Sequence, residues 1–174
     1  MYKGIRLLVL LAVAGNALAT SVLYSQVKLT QLPFCKTYGC KQVGKQAADD
    51  PVQPYVIITY HLTKADAWAE ADHFPDGALM GVTLVFRRQP LTEPDKAVAL
   101  ALIKALTGGV YSKQVLEKCF TISEKNAVQD DYFSSETGLA SGQVSGNLNW
   151  VGKCYMPIEG FKRRSLVTVY GTFH

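Results

Sequence analysis

The sequence predicts an α+β domain: an antiparallel sheet of about five strands with two helices packed on one face. Three observations support this. Tyr55–Leu62 alternates with the period of two typical of a strand, the pattern changes to a helical period after Thr92, and strand-like segments return after residue 142. This order predicts a three-stranded meander, then two helices, then a two-stranded hairpin, with the helices covering the sheet.

The meander begins with Tyr55–Leu62, whose odd-numbered and even-numbered residues should face opposite sides of the sheet. Residues 65–72 alternate alanine with polar or aromatic residues, which is a strand period, although alanine favours helix. The turn sequence Phe74-Pro75-Asp76-Gly77 follows at once and favours the strand interpretation. Residues 78–88 are then the third strand.

The two helices have clear boundary signals. Thr92 is a predicted N-cap, Pro94 suits the first turn, and Gly108-Gly109 ends the first helix. The second helix should begin after Ser112 and run to about Phe120, with an apolar stripe of Val115, Leu116, Cys119 and Phe120.

The remainder of the chain is predicted to hold one long connection and the final hairpin. Residues 121–142 are polar and poorly periodic, which is typical of a connection. Residues 143–156 and 164–173 are predicted strands, separated by a turn at residues 157–160.

The first 19 residues have the layout of a secretory signal peptide. Lys3 and Arg6 precede an apolar run, and Ala17-Leu18-Ala19 is a small-x-small cleavage site. The alternative is a retained anchor at residues 5–23, which is close to the roughly 20 residues needed to span a bilayer. Either interpretation predicts export, to the periplasm, the cell surface or the medium.

Three regions follow from this: the leader at residues 1–19, an N-terminal arm at 20–54, and an α+β domain at 55–174. The 155 residues after the leader can bury a sizeable core, and 48% hydrophobic content indicates a folded chain. The net charge of +4 falls to +2 without Lys3 and Arg6, which is too weak to indicate nucleic-acid binding.

The four cysteines predict two disulfides, because an even number in an exported chain is usually paired. We expect Cys35–Cys40, across a turn-like spacer, and Cys119–Cys154, which would fasten the second helix to the sheet. A lone C-x4-C spacing argues against both a zinc site and a redox-active C-x-x-C pair. We therefore expect no metal and no cofactor.

Catalytic motifs are absent from the sequence, including the G-x-S-x-G elbow, the phosphate-binding loop and H-E-x-x-H. His61 could approach Asp66, Glu70 or Asp72 across the meander, and their convergence in a pocket would favour an enzyme. The sharpest cationic cluster is Lys162, Arg163 and Arg164, which could bind an anionic ligand or could be a solvated turn.

These features favour an exported, disulfide-stabilised, non-catalytic protein of the cell envelope that acts as a binding or assembly module. The alternative is a small extracytoplasmic hydrolase or metal-dependent enzyme with an unrecognised site. The expected partner is an envelope protein, a glycan or a membrane surface rather than nucleic acid, and the residues leave the oligomeric state open.

Overall fold

The computed structural model describes residues 21–48, 53–129, 136–156, 158–159 and 162–173. In these ranges the chain is an α+β fold with one seven-stranded antiparallel sheet, three α-helices and a separate two-stranded ribbon. The helices are α1 Pro33–Tyr38, α2 Glu93–Thr107 and α3 Lys113–Gln129. The strands are β1 Cys40–Ala48, β2 Tyr55–Leu62, β3 Ala67–His73, β4 Leu79–Phe86, β5 Glu136–Ser145, β6 Leu148–Tyr155, β7 Ile158–Glu159, β8 Lys162–Arg163 and β9 Ser165–Phe173.

The order of strands in the sheet is β1-β2-β3-β4-β9-β6-β5. The predicted meander is present as β2, β3 and β4, and the predicted final pair is present as β6 and β9, which are hydrogen-bonded neighbours. The α+β class is therefore confirmed. The leader at residues 1–19 and the proposed anchor at residues 5–23 lie wholly or mainly outside the described residues.

The expectation of about five strands was too low, because both edge strands were missed. Most side chains of β1 are exposed, so the strand has no apolar alternation to reveal it. In β5, small and polar residues such as Gly138, Ser141 and Gly142 weaken the same signal. A turn with Gly146 at φ +53° joins β5 to β6, so the predicted strand at 143–156 is in fact one strand plus the end of another.

The helix arrangement also differs from the expectation. α3 continues to Gln129 instead of ending near Phe120, and most of the supposed connection at 121–142 belongs to α3 and β5. Ser123 is fully buried, and its hydroxyl donates a 3.2 Å hydrogen bond to the carbonyl oxygen of Cys154. This contact keeps the helix against β6 beyond the apolar stripe. Within that stripe Leu116 and Cys119 are buried, whereas Val115 is exposed.

The alternating segment at 65–72 is a strand, and its alanines explain why. Ala67, Ala69 and Ala71 are all fully buried on the face of the sheet that the helices cover. Methyl side chains at three successive inward positions leave room for the chain segments that pack above them. The strand environment outweighs the helical propensity of alanine here.

Residues before β1 belong to the same core as the rest of the fold. Leu23, Leu29, Leu32 and Phe34 are all buried in it. The backbone N–H of Tyr24 donates to the carbonyl oxygen of Leu79 at 2.7 Å, and that of Leu79 donates to Ser25 at 2.9 Å. This segment is therefore hydrogen-bonded to the start of β4 and contributes to the same core.

Two disulfides join these layers. Cys35–Cys40 links α1 to the start of β1, and Cys119–Cys154 links α3 to β6. Paired cysteines suit an oxidising, extracytoplasmic compartment. In the part of the chain that the structure describes, no helix combines the length and the apolar character needed to span a membrane.

Candidate interaction surface

One face of the sheet lies opposite the helices, and we call it the open face. Strand alternation sends every second side chain of β2, β3, β4, β9 and β6 to this side. Each of these side chains is half-buried, shielded mainly by its neighbours on the sheet. They are Ile57, Thr59, His61, Trp68, Glu70, Asp72, Thr83, Val85, Leu166, Thr168, Tyr170, Val151, Lys153 and Tyr155.

The strand registers arrange the open face in three transverse rows. The first row, which is mainly aromatic and aliphatic, runs His61, Trp68, Val85, Leu166 and Tyr155. The second, which is polar, runs Thr59, Glu70, Thr83, Thr168 and Lys153. The third, which combines a carboxylate with apolar groups, runs Ile57, Asp72, Gly81, Tyr170 and Val151.

The polar row has a hydrogen bond at its centre. The hydroxyl oxygens of Thr83 and Thr168 are 3.0 Å apart, across the β4–β9 pairing. Glu70 and Lys153 lie on opposite sides of this threonine pair. The row therefore has a negative charge on one side of the hydrogen-bonded threonine pair and a positive charge on the other.

Two cation–aromatic contacts involve side chains of these rows. The guanidinium carbon of Arg87, just beyond β4, lies 4.0 Å from the ring centroid of Trp68. The Nζ atom of Lys153 lies 5.1 Å from the ring centroid of Tyr170. His61 also contacts Trp68, with ring centroids 5.3 Å apart. These contacts hold planar groups in place without requiring a covering layer.

Asp72 is the electrostatically unusual group of the open face. Burial, and secondarily the nearby charge of Glu70, together raise the pKa of its carboxyl group from 3.8 to about 6. Among the described residues, Asp72 has neither an ion-pair partner nor a side-chain hydrogen bond. A carboxylate in this state can accept a hydrogen bond or a positive charge from a bound partner.

Gly81 lies between Asp72 and Tyr170 in the third row. A Cβ atom built there would come within 2.8 Å of the Cβ of Tyr170 and 3.0 Å of the carbonyl oxygen of Val169. Such a close approach between β4 and β9 requires glycine. The space that a side chain would need at this position is occupied by Tyr170.

The histidine and carboxylates singled out from the sequence are not assembled into one site. His61 contacts Trp68. Asp66 instead forms an ion pair with Arg88, in the loop after β4, with 2.6 Å between a guanidinium nitrogen and a carboxylate oxygen. Glu70 and Asp72 occupy the second and third rows. In the described part of the chain, no group of three or more His, Cys, Asp or Glu residues is placed to hold a metal ion.

The predicted anion patch, Lys162, Arg163 and Arg164, is only partly described by the structure. Lys162 and Arg163 form the short strand β8, and their side chains are outside the described part of the structure. Arg164 is exposed at the start of β9.

Replacing Lys162, Arg163 and Arg164 with serine is expected to change the free energy of unfolding by less than about 1 kcal/mol, as for exposed positions remote from caps and networks. Urea unfolding of the triple variant measures this, and a much larger loss would mean that the cluster is paired or packed.

Several residues of the open face were not identified from the sequence. Trp68 and Glu70 could be assigned to one face of β3 by alternation alone. Tyr170 and Lys153, by contrast, join them only through the β4–β9 and β6–β9 registers, which pair residues far apart in the chain.

Comparison of the chain with protein families, with individually described proteins and with solved structures gives no significant match.

Proposed function

We propose that this protein is an exported, disulfide-stabilised, non-catalytic module of the cell envelope that binds a protein partner through the open face. The observation that carries the proposal is the one-sided packing of the described part of the chain. The helices and the segment at residues 21–32 cover one face of the sheet, and the opposite face keeps half-buried aromatic and aliphatic side chains in register. Surfaces of this kind are suited to binding.

The side chains of the open face favour a protein as the partner. Tryptophan, tyrosine and arginine are enriched where proteins bind one another, and Trp68, Tyr170 and Arg87 supply all three. Trp68 and Tyr170 are already restrained by their cationic neighbours, which lowers the entropy lost on binding. Asp72 adds a site for a basic or hydrogen-bond-donating group of the partner.

One observation favours the alternative of a small extracytoplasmic hydrolase. A carboxyl group with its pKa near 6 is suited to general acid–base catalysis. However, the ionisable side chain that neighbours Asp72 on the same face of β3 is Glu70. The ring of His61 contacts Trp68 and lies two rows away from Asp72. An unpaired half-buried carboxylate is equally suited to a binding surface, so the module remains the better proposal.

Photocrosslinking in the native envelope tests the proposed surface. A photoreactive amino acid at Val85, in the first row, should give one discrete adduct with a protein, whereas one at Lys104, exposed on α2, should not. Asp72→Lys should weaken the Val85 adduct, because it reverses a charge on the same face, two rows away from Val85. Glu124→Lys, the same change at an exposed position of α3, should leave the adduct unchanged. Equal crosslinking from Val85 and Lys104, or no adduct from either, would contradict the proposal.

A further inference from the structure

A cavity lies on the helix side of the sheet, at a corner that the helices leave uncovered. It is bounded by residues 26–30 on one side and by β1 and β2 on the other, and it has a volume of about 570 Å³. This size falls within the roughly 300–1,000 Å³ of small-molecule sites. We call it the basic groove, and it is separated from the open face by the sheet itself.

The floor of the basic groove is apolar. Val56 and Ile58 of β2 are half-buried there, and the buried Tyr60 and the half-buried Phe74 also line the cavity. Gln42 and Lys45 of β1 pair with Tyr60 and Ile58, and the register shift between Gln42 and Gly44 brings both to this side of the sheet. The floor can therefore accept an apolar group without rearrangement of the core.

The walls of the basic groove carry positive charge. Lys28, on the N-terminal segment, and Lys45, on β1, both line the groove. Neither forms an ion pair with a described residue, and no aspartate or glutamate is among the residues that line the groove. Gln26, Gln42 and Thr30 add neutral hydrogen-bonding groups.

His73 gives the groove a buried polar group. Its side chain is 6% exposed, and Nδ1 donates to the carbonyl oxygen of Gly77 at 3.1 Å, so the proton of the neutral ring is on Nδ1. The Nε2 atom is buried and has no hydrogen-bond partner among the described residues. In this tautomer Nε2 is an acceptor and offers no donor to an anion, so the recognition of negative charge in the groove comes from Lys28 and Lys45.

We propose that the basic groove binds an anionic amphiphile, an apolar chain or ring that ends in a carboxylate or a phosphate. The acid group lies between Lys28 and Lys45, and the apolar group lies over Val56 and Ile58. Charge complementarity selects the head group, and the apolar floor selects the tail. This binding is independent of the open face, so it can be tested separately from the proposed function.

Titration of the full chain with dodecanoate, followed by isothermal calorimetry and by amide chemical shifts, tests this proposal. Dodecyl phosphate distinguishes the two acid groups, and dodecyltrimethylammonium has the same tail with the opposite charge; all are kept below their critical micelle concentrations. We expect dodecanoate, dodecyl phosphate or both to bind with shifts confined to residues 26–30, β1, β2 and His73. Hexanoate should bind more weakly, because each buried methylene contributes roughly a threefold to fourfold gain in affinity.

A pair of matched variants separates the site from general charge. Lys28→Gln with Lys45→Gln should weaken binding of the anionic amphiphile at least tenfold. Lys104→Gln with Lys118→Gln removes the same charge from exposed positions on α2 and α3 and should leave binding unchanged. Unchanged melting temperatures show that both variants fold. Equal binding of the cationic amphiphile, equal loss in both variants, or no binding of either anion would overturn the proposal.

Discussion

Replacing Cys119 and Cys154 together with alanine is expected to lower the free energy of unfolding by about 2–5 kcal/mol, the usual range for a native disulfide in a small exported domain. The bond closes a loop of sequence separation 35, and both cysteines are almost completely buried. Loop-closure entropy alone predicts about 4 kcal/mol for this separation. Urea unfolding under oxidising conditions measures the change.

The first disulfide supplies the matched control. Cys35–Cys40 closes a loop of sequence separation 5, for which the same entropy relation predicts about 2 kcal/mol. We therefore expect Cys119→Ser to lower the melting temperature more than Cys35→Ser. Equal shifts, or a greater loss from Cys35→Ser, would show that the connection between α1 and β1 is the stronger constraint.

Replacing Asp72 with asparagine is expected to stabilise the fold at pH 8 by about 1–2 kcal/mol. The raised folded-state pKa of about 6, against 3.8, means that the folded protein disfavours the charged carboxylate. The full shift corresponds to about 3 kcal/mol, which partial exposure to water reduces. The contribution of Asp72 should therefore fall as the pH rises from about 4 to 6 and remain lower above that range, so the wild type should lose stability relative to Asp72→Asn over this interval. Unfolding of both proteins between pH 3.5 and 8 measures the difference.

Two further variants make the Asp72 prediction specific. Glu70→Gln should lower the pKa of Asp72, since the charge of Glu70 is the second cause of the shift. Glu124→Gln, at an exposed position of α3, should leave both the pKa of Asp72 and its pH profile unchanged. Carboxyl-carbon NMR titration follows the pKa directly. A profile of Asp72→Asn that matches the wild type would contradict the assignment.

The parts of the fold that were predictable are those in which burial imposes a period on the sequence. Alternation located β2, and helix caps located both ends of α2: Thr92 accepts from the backbone N–H of Asp95, and Gly108 adopts a φ of +72°. The strand assignment of residues 65–72 depended on a turn signal that outweighed alanine propensity. In each case the signal comes from residues that are close together in the sequence.

The parts that were missed carry no such local signal in the sequence. β1 is exposed along most of its length, so its strand character comes only from backbone pairing with β2. α3 extends past Phe120 through a polar buried contact, Ser123 with Cys154, which apolar periodicity does not reveal. The basic groove likewise brings Lys28 and Lys45 together from two elements, and only the tertiary fold shows that they share a cavity.

The position of β9 has a consequence for the order in which the fold is assembled. This strand lies between β4 and β6, although it is the last strand along the sequence. The other pairings of the sheet join strands close in sequence, from β1 to β4 and from β5 to β6. A chain emerging from its N-terminus can therefore form two partial sheets early, but each keeps an unpaired strand, β4 or β6, at its growing side. Such edges invite pairing with other chains, and only the arrival of residues 165–173 closes both at once.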